Sequence, residues 1–546
     1  MTINVATIYE AIADQLPDYT AVVHRDRRLS YAQVQDRARR FANAMLDRGI
    51  THHTDRGALE NWQSGQDHVA IYMFNCPEYL EAMLGCYMAR AVPFNVNFRY
   101  VGEELRYLFD DARPRVLIYQ ARFADRVAAV AGAAPGLDIL VQVDDGSGTP
   151  LLPGALDYEQ MLADASPDRT DVDPSADDLF CLYTGGTTGM PKGVLWRQED
   201  VIHVSMGGRY PDGSDIPDVD AFVRRARKRA GLRILPAPPF MHGAGSLSAL
   251  AGWLAGNTVV LQDNVEHLDP DDLLTVIERE GVNMLLMVGE AYGRPLLKAA
   301  EAGDFDLSSM QMLFTSGTVL SPSVKAGLHR LMPGLTILDT LGSSETGPQA
   351  QNVSTGKKGE PGRDFRILDR VIVLAEDRSE ILSPGHDGLG WMANTGRVPL
   401  GYYGDADKTR ETFPVINGQR YVVNGDLVKL RLDGSVDLHG RKSFVINSGG
   451  EKIFAEEVEN AIKHHPDVAD VVVTGRASAR WGSEVVAIIQ LEPEAPPNRD
   501  ALLAEAGRHV ARYKLPKAFL FLDRIQRSPS GKTDGRWAQS VASGAE

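Results

Sequence analysis

The sequence predicts an α/β protein in two parts: a large N-terminal domain of sheets covered by helices, residues 1–440, and a small α+β lid domain, residues 441–546. Three observations carry this. The chain has 546 residues, whereas single hydrophobic cores stop growing near ~250–300. Apolar runs of strand length alternate with helix-period stretches through the first third of the chain, the pattern of βα units that build a mostly parallel sheet. After a short polar link, Arg441-Lys442-Ser443, the chain starts a fresh set of strands and helices of its own.

Taken in order, Ser30 is an N-cap for a helix that begins at Tyr31. Val69-Ala70-Ile71-Tyr72-Met73 reads as a strand, 79–89 as a helix and 91–96 as a second strand. The polar stretch between Gly49 and His68 reads as a loop, with His52 and His53 solvated rather than ligating a metal. The uncharged stretch 243–261 carries four glycines and a trailing Asn257-Thr258, so it is read as a buried helix and a strand, not a membrane span. The run Arg224, Arg225, Arg227, Lys228, Arg229 and Arg233 reads as a solvated basic face, with contact to a phosphate-bearing ligand as the alternative. Asp433-Gly434-Ser435 is a hairpin turn. In the C-terminal part a helix starts near Ala455, strands run 471–473 and 485–489, a helix holds Leu502, Leu503, Ala506 and Val510, and a strand spans 519–522.

Composition narrows the function. Hydrophobic content of 43% and charged content of 24% are those of an ordinary globular protein, and a net charge of −16 argues against a general binder of nucleic acid or anionic membrane. Cys76, Cys86 and Cys181 lack metal-ligand spacing and read as free thiols of a reducing, cytoplasmic compartment. The N-terminus has no signal-peptide pattern. The oligomeric state is open, a homodimer included.

The chemistry gathers at Tyr183-Thr184-Gly185-Gly186-Thr187-Thr188-Gly189-Met190-Pro191-Lys192-Gly193. An apolar strand, 179–183, leads into glycines that let backbone N–H groups turn inward, hydroxyls that add donors, and a lysine that adds a point charge. Such a loop suits a polyphosphate; a Gly/Thr-rich surface loop is the bland alternative. It is not a Walker A loop, because Lys192 follows Pro191 and precedes Gly193. Two further segments, Val288-Gly289-Glu290 and Thr315-Ser316-Gly317-Thr318, each follow an apolar strand, as does Leu341-Gly342-Ser343-Ser344-Glu345-Thr346-Gly347. Strand ends are where α/β sheets bind ligands. Pro236-Ala237-Pro238-Pro239-Phe240-Met241-His242-Gly243-Ala244-Gly245 places a histidine at the start of the uncharged helix, as a core histidine or as a site residue. No G-x-S-x-G elbow is present, which disfavours a serine hydrolase.

In this order the motifs resemble those of the adenylate-forming superfamily: acyl-CoA synthetases, adenylation domains and luciferases. The resemblance spans essentially the whole chain and adds Gly401-Tyr402-Tyr403-Gly404, Asn424-Gly425-Asp426, Gly440-Arg441, Asn447-Ser448-Gly449-Gly450-Glu451-Lys452 and Ser530-Gly531-Lys532. Ser344 and Asn424 stand where the family usually has threonine, and Ser443-Phe444 where it usually has Asp or Lys near the hinge. The chain looks most similar to actinobacterial ligases of fatty acids and steroid side-chain carboxylates, with Asn95-Val96-Asn97-Phe98-Arg99-Tyr100, Gly193-Val194-Leu195-Trp196-Arg197 and the insertion 207–233 fitting that subgroup.

The resemblance implies an AMP-forming acyl-CoA ligase that uses ATP, Mg²⁺ and coenzyme A on a small-molecule carboxylic acid. It implies Thr184, Glu345 and Lys532 as catalytic groups. Thr184, Gly185, Gly186, Thr187, Thr188 and Lys192 would hold phosphates; Ser316, Gly317, Gly342, Ser343 and Ser344 the adenylate; Asp426 and Arg441 the ribose; Gly449 and Gly450 the CoA arm. Glu345 is the Mg²⁺ ligand, because Mg²⁺ takes one or two carboxylates plus phosphate oxygens. His242, Gly243, Gly245, Gly289, Gly317 and Leu341 would border the acyl group. An adenylate-forming enzyme that loads a carrier protein, and a silent binding homologue, are the alternatives. Asp426 read on its own fits a β-turn, and Lys532 a C-terminal tail.

Overall fold

The computed structural model describes residues 2–184, 191–317, 320–356, 365–441, 445–448, 451–478, 482–510, 512–527 and 533–544. Among these, the N-terminal part has two large sheets with helices between them. One is a five-stranded parallel sheet in the order Val92–Asn95, His68–Tyr72, Val116–Gln120, Ile139–Val143, Leu156–Asp157. The other contains six parallel strands in the order Thr336–Ser343, Met312–Ser316, Met284–Met287, Arg233–Pro236, Thr258–Leu261, Thr20–His24.

The helices follow from their termini and faces. Ser30 caps the helix Tyr31–Leu46 and forms a full capping box with Gln33. Helix Pro77–Met88 buries every one of its residues, including Glu78 and Glu81, whose carboxylates pair with Arg27 at 2.6 Å and Arg37 at 2.9 Å. It packs in one core with Phe41 from the preceding helix, Ile71 from the five-stranded sheet, and Val259 and Trp253 from the other side. Helix Gly243–Trp253 and strand Thr258–Leu261 divide the uncharged stretch as expected.

The five-stranded sheet built by the first third of the chain is parallel, as the βα alternation there predicts, whereas the larger sheet is mixed. Beyond Thr336–Ser343 it continues antiparallel through Gly347–Ser354, Phe365–Ile367, Ser435–Arg441, Gln419–Leu430, Gly390–Thr395 and Val371–Ala375. These strands return through short turns, Gly347 with φ +62° and Gly434 with φ +78°, where only glycine is unstrained. Strand Ser435–Arg441 runs through the expected boundary, so Arg441 ends a sheet strand rather than starting a link.

Two surface readings change. His53 Nε2 pairs with the buried Asp67 carboxylate at 2.7 Å, and His52 sits 3.3 Å from the Arg90 guanidinium, so neither is simply solvated. In the basic helix Val219–Arg229, Arg225 turns inward onto the carbonyls of Gly207 and Leu254 and over the Phe222 ring. Arg233 pairs with Glu280 at 3.2 Å.

The C-terminal part has its own core of Ile453, Val458, Ile462, Val471, Ile489 and Leu502. It holds a hairpin, Val445–Ser448 with Glu451–Phe454, and a three-stranded sheet in which Val468–Ser478 and Gly482–Leu491 are antiparallel and Ala518–Phe521 adds in parallel.

Candidate active site

Four adjacent parallel strands deliver most of the expected site residues that the structure describes to one sheet edge. Thr336–Ser343 carries Leu341, Gly342 and Ser343 and leads to Ser344 and Glu345. Met312–Ser316 ends in Ser316, which lies opposite Thr340, with Gly317 next at φ +85°. Met284–Met287 leads to Gly289, whose N–H donates to Thr315 Oγ1 at 2.8 Å. Arg233–Pro236 leads through Pro238 and Pro239 to His242, the N-cap position of the next helix. Ligands collect beyond the carboxyl ends of such strands.

A second, small sheet carries the phosphate-loop hairpin. Leu179–Thr184 pairs antiparallel with Lys192–Arg197, with Thr184 opposite Lys192, and Gly401–Tyr402 pairs along the outer edge, Tyr402 opposite Val194. Gly185, Gly186, Thr187 and Thr188 lie outside the described residues. The base of the hairpin is tied down: Tyr183 Oη donates to Asp111 Oδ2 at 2.7 Å and Tyr107 Oη to the Pro191 carbonyl at 3.3 Å. The Lys192 ammonium pairs with Asp405, which also caps the helix Ala406–Thr412 through Lys408 N–H. Burial would raise the Asp405 pKa, but the Lys192 and Lys408 hydrogen bonds outweigh it and hold the carboxyl below its usual value.

This small sheet joins the Glu345 segment at two points. Trp196 Nε1 donates to the Ser344 carbonyl at 2.9 Å, and Tyr402 Oη donates to Glu345 Oε1 at 3.0 Å. The turn is shaped from within, with Glu345 N–H donating to Ser343 Oγ at 3.2 Å and Ser343 N–H to Thr346 Oγ1 at 3.0 Å. Among the described residues no cluster of three or more His, Cys, Asp or Glu side chains could hold a metal. A cation at Glu345 would take that one carboxylate and draw the rest of its shell from phosphate oxygens and water, which fits Mg²⁺.

Asp426 and Arg441 are direct partners across the antiparallel strands Gln419–Leu430 and Ser435–Arg441. Gly425 at φ +86° precedes Asp426. Gly449, Gly450 and Lys532 lie outside the described residues. Two glycines expected at the acyl group are closely packed: a side chain on Gly243 would meet Leu182, and one on Gly245 would meet the carbonyls of Pro238 and Pro239. A cleft of about 680 Å³ is lined by His24, Phe74, Gln120 and Asp145 among others and by none of the expected site residues.

Sequence reasoning missed Asp405, Asp111 and the role of Trp196. Asp405 had one local signal, an N-cap residue followed by a helical run; its ion-pair partner lies 213 residues away.

A family model described as AMP-binding enzyme matches residues 9–403. The chain belongs to the AMP-binding enzyme family. The AMP-binding enzyme C-terminal domain matches residues 457–532. This AMP-binding enzyme is 48% identical, over 99% of its own length and 98% of the relative's, to the medium-chain acyl-CoA ligase Mig of Mycobacterium avium. It is 37% identical, over 99% and 96%, to a 3-oxocholest-4-en-26-oate–CoA ligase of Rhodococcus rhodochrous. Its fold matches the anthranilate CoA ligase AuaEII with a TM-score of 0.83 at 20% identity, covering 99% of this chain and 97% of that one. It matches ATP-bound MatB from Rhodopseudomonas palustris with a TM-score of 0.81 at 23% identity, covering 99% of both chains.

Proposed function

We propose that this AMP-binding enzyme is an ATP-dependent acyl-CoA ligase for a hydrophobic carboxylic acid, a fatty acid or a steroid side-chain acid, working in the cytoplasm. The observation that carries the reading is the joining of Lys192 and Glu345 through the bend 401–405 at the edge of the parallel sheet. A cation donor and a metal-suited carboxylate on one frame fit a polyphosphate, and the relatives named above are CoA ligases of such acids.

A carboxylate is a poor acyl donor because oxide does not leave. Its oxygen attacks the α-phosphorus of ATP, the bond to the β-phosphate oxygen breaks, and pyrophosphate departs, leaving an acyl-adenylate. The CoA thiolate then attacks the acyl carbonyl and AMP leaves. Positioning and charge neutralisation do most of the work in phosphoryl-type transfer. Residues 184–189 and Lys192 hold the β- and γ-phosphates, and Lys532 meets the α-phosphate and the attacking carboxylate. Ser316, Gly317 and residues 342–344 border the adenylate, and the Asp426 carboxylate accepts from the ribose hydroxyls with Arg441 beside it. Bound at Glu345, Mg²⁺ would supply neutralisation of phosphate charge. His242 and Gly289 border the acyl group. Residues 441–546 act as a lid that turns between the half-reactions, so that Lys532 serves the first and Gly449-Gly450 the second.

The test is pyrophosphate release from MgATP with octanoate, palmitate, a steroid side-chain acid and benzoate, each with and without CoA. CoA-dependent turnover on the hydrophobic acids above benzoate is expected. Release indifferent to CoA would point to carrier-protein loading, and silence across the panel to a binding protein.

A further inference from the structure

Glu345 follows a strand on a turn, and nothing covalent fixes which way its carboxylate points. The structure holds it from a different element. Tyr402 Oη donates to one carboxylate oxygen at 3.0 Å, from a strand that pairs with the phosphate-loop hairpin rather than with the strand that precedes Glu345. The carbonyl of the preceding residue, Ser344, is held from the same small sheet by Trp196.

The scaffold under Tyr402 is independent of its hydroxyl. Its N–H donates to Thr409 Oγ1 at 2.9 Å, its backbone pairs with Val194, and its ring lies 5.6 Å from that of Phe413. Tyr402 is 6% exposed. The hydroxyl therefore sits on a rigid mount and presents a fixed donor. A neutral donor orients a carboxylate without cancelling its charge, as an ammonium would. The nearby ammonium, Lys192, is occupied by Asp405, three residues along the same bend, whose N–H donates to the Tyr402 carbonyl at 3.2 Å.

We infer that Tyr402 is a positioning residue for Glu345, aiming the carboxylate at a divalent cation and tying that cation's place to the phosphate-loop hairpin. The inference rests on the reading of Glu345 as the metal ligand. Residues that orient a ligating carboxylate typically change metal affinity ten- to a hundredfold when lost.

The test measures Mn²⁺ binding to the full-length enzyme with ATP present, by loss of the free-Mn²⁺ electron spin resonance signal, so no turnover is needed. Tyr402→Phe keeps the ring and is expected to weaken Mn²⁺ about tenfold, while metal-free ATP affinity stays within about twofold. In the double variant with Glu345→Gln the Tyr402→Phe effect should vanish, because Tyr402 acts through that carboxylate. If Glu345→Gln weakens Mn²⁺ and Tyr402→Phe does not, the Tyr402 role is overturned while the metal reading stands. The role is also overturned if Tyr402→Phe keeps its full effect in the Glu345→Gln background. If Glu345→Gln itself leaves Mn²⁺ unchanged, the metal reading falls and the inference with it.

Discussion

A single buried imidazole makes stability depend on pH. His68 opens the strand His68–Tyr72, is 3% exposed, donates from Nδ1 to the Ala112 carbonyl at 3.0 Å, and lies 4.6 Å from the Tyr403 ring. Burial pushes its pKa from 6.5 down to about 4, against the smaller upward pull of the Ala112 hydrogen bond and Asp67. The folded state therefore holds it neutral where the unfolded chain takes up a proton. Its contribution is intact above pH 6.5 and lost as pH falls towards 4, about 3 kcal/mol in all for a pKa displaced from 6.5 to about 4. His68→Gln keeps a donor for Ala112 and does not titrate. Denaturant unfolding at a series of pH values should show a shallower loss of stability across this window than in the parent. The slope should not disappear, because His24 is likewise lowered to about 4, by burial first and Arg25 second. An unchanged slope in His68→Gln would refute the assignment.

At the scale of elements, close backbone approach decides where the helix Gly243–Trp253 sits. Gly245 lies in the first turn of Gly243–Trp253. A β-carbon there would stand 2.5 Å from the Pro238 carbonyl oxygen and 2.6 Å from that of Pro239. In an open helix Gly→Ala gains about 1 kcal/mol, but overpacking of this kind costs about 1–3 kcal/mol. The clash is with backbone, so the second effect wins. Gly245→Ala should melt earlier than the parent and raise KM for the acid, since the helix start carrying His242 must shift; a melting temperature at or above the parent's would show that the segment 238–245 yields freely. Helices and parallel strands were legible in the sequence because N-caps such as Ser30 and buried runs such as 69–73 are local signals. The antiparallel half of the large sheet was not, because strands such as Phe365–Ile367 and Gly347–Ser354 are short or polar and gain their pairing only from distant neighbours. The site followed the same rule. Thr184, Glu345 and Asp426 stand in compact motifs, whereas the pairings of Asp405 with Lys192 and of Tyr402 with Glu345 are set by tertiary contact. What glycines 243 and 245 pack against was not legible either: a Cβ at the first would meet Leu182 and at the second the carbonyls of Pro238 and Pro239, contacts set by the fold.

For the whole molecule, the question is what couples the two parts. The C-terminal part closes a core of its own around Ile453, Val458, Val471 and Ile489, so it meets the first condition for folding as a unit. Two contacts to the body stand out. Phe454, at the end of the C-terminal hairpin, is buried among Leu374, Trp391, Tyr421, Val423 and Leu427 of the antiparallel strands. Arg294, on the helix after Gly289, faces Glu492 at 3.6 Å, with the two side chains 33% and 35% exposed. Magnitudes separate them: truncating a buried phenylalanine costs about 3–5 kcal/mol, whereas a solvent-exposed ion pair contributes at most about 1 kcal/mol and is screened by salt. Phe454 should therefore be the anchor and the Arg294–Glu492 pair a trim. Scanning calorimetry of Phe454→Ala should resolve a separate, earlier transition for the C-terminal part, with the body melting near its parent temperature. Arg294→Ala should leave the parent profile in place, with any difference disappearing at high salt. If Phe454→Ala instead lowers one undivided transition, the two parts unfold as a single cooperative unit and the anchor is spread over the whole interface rather than concentrated in one ring.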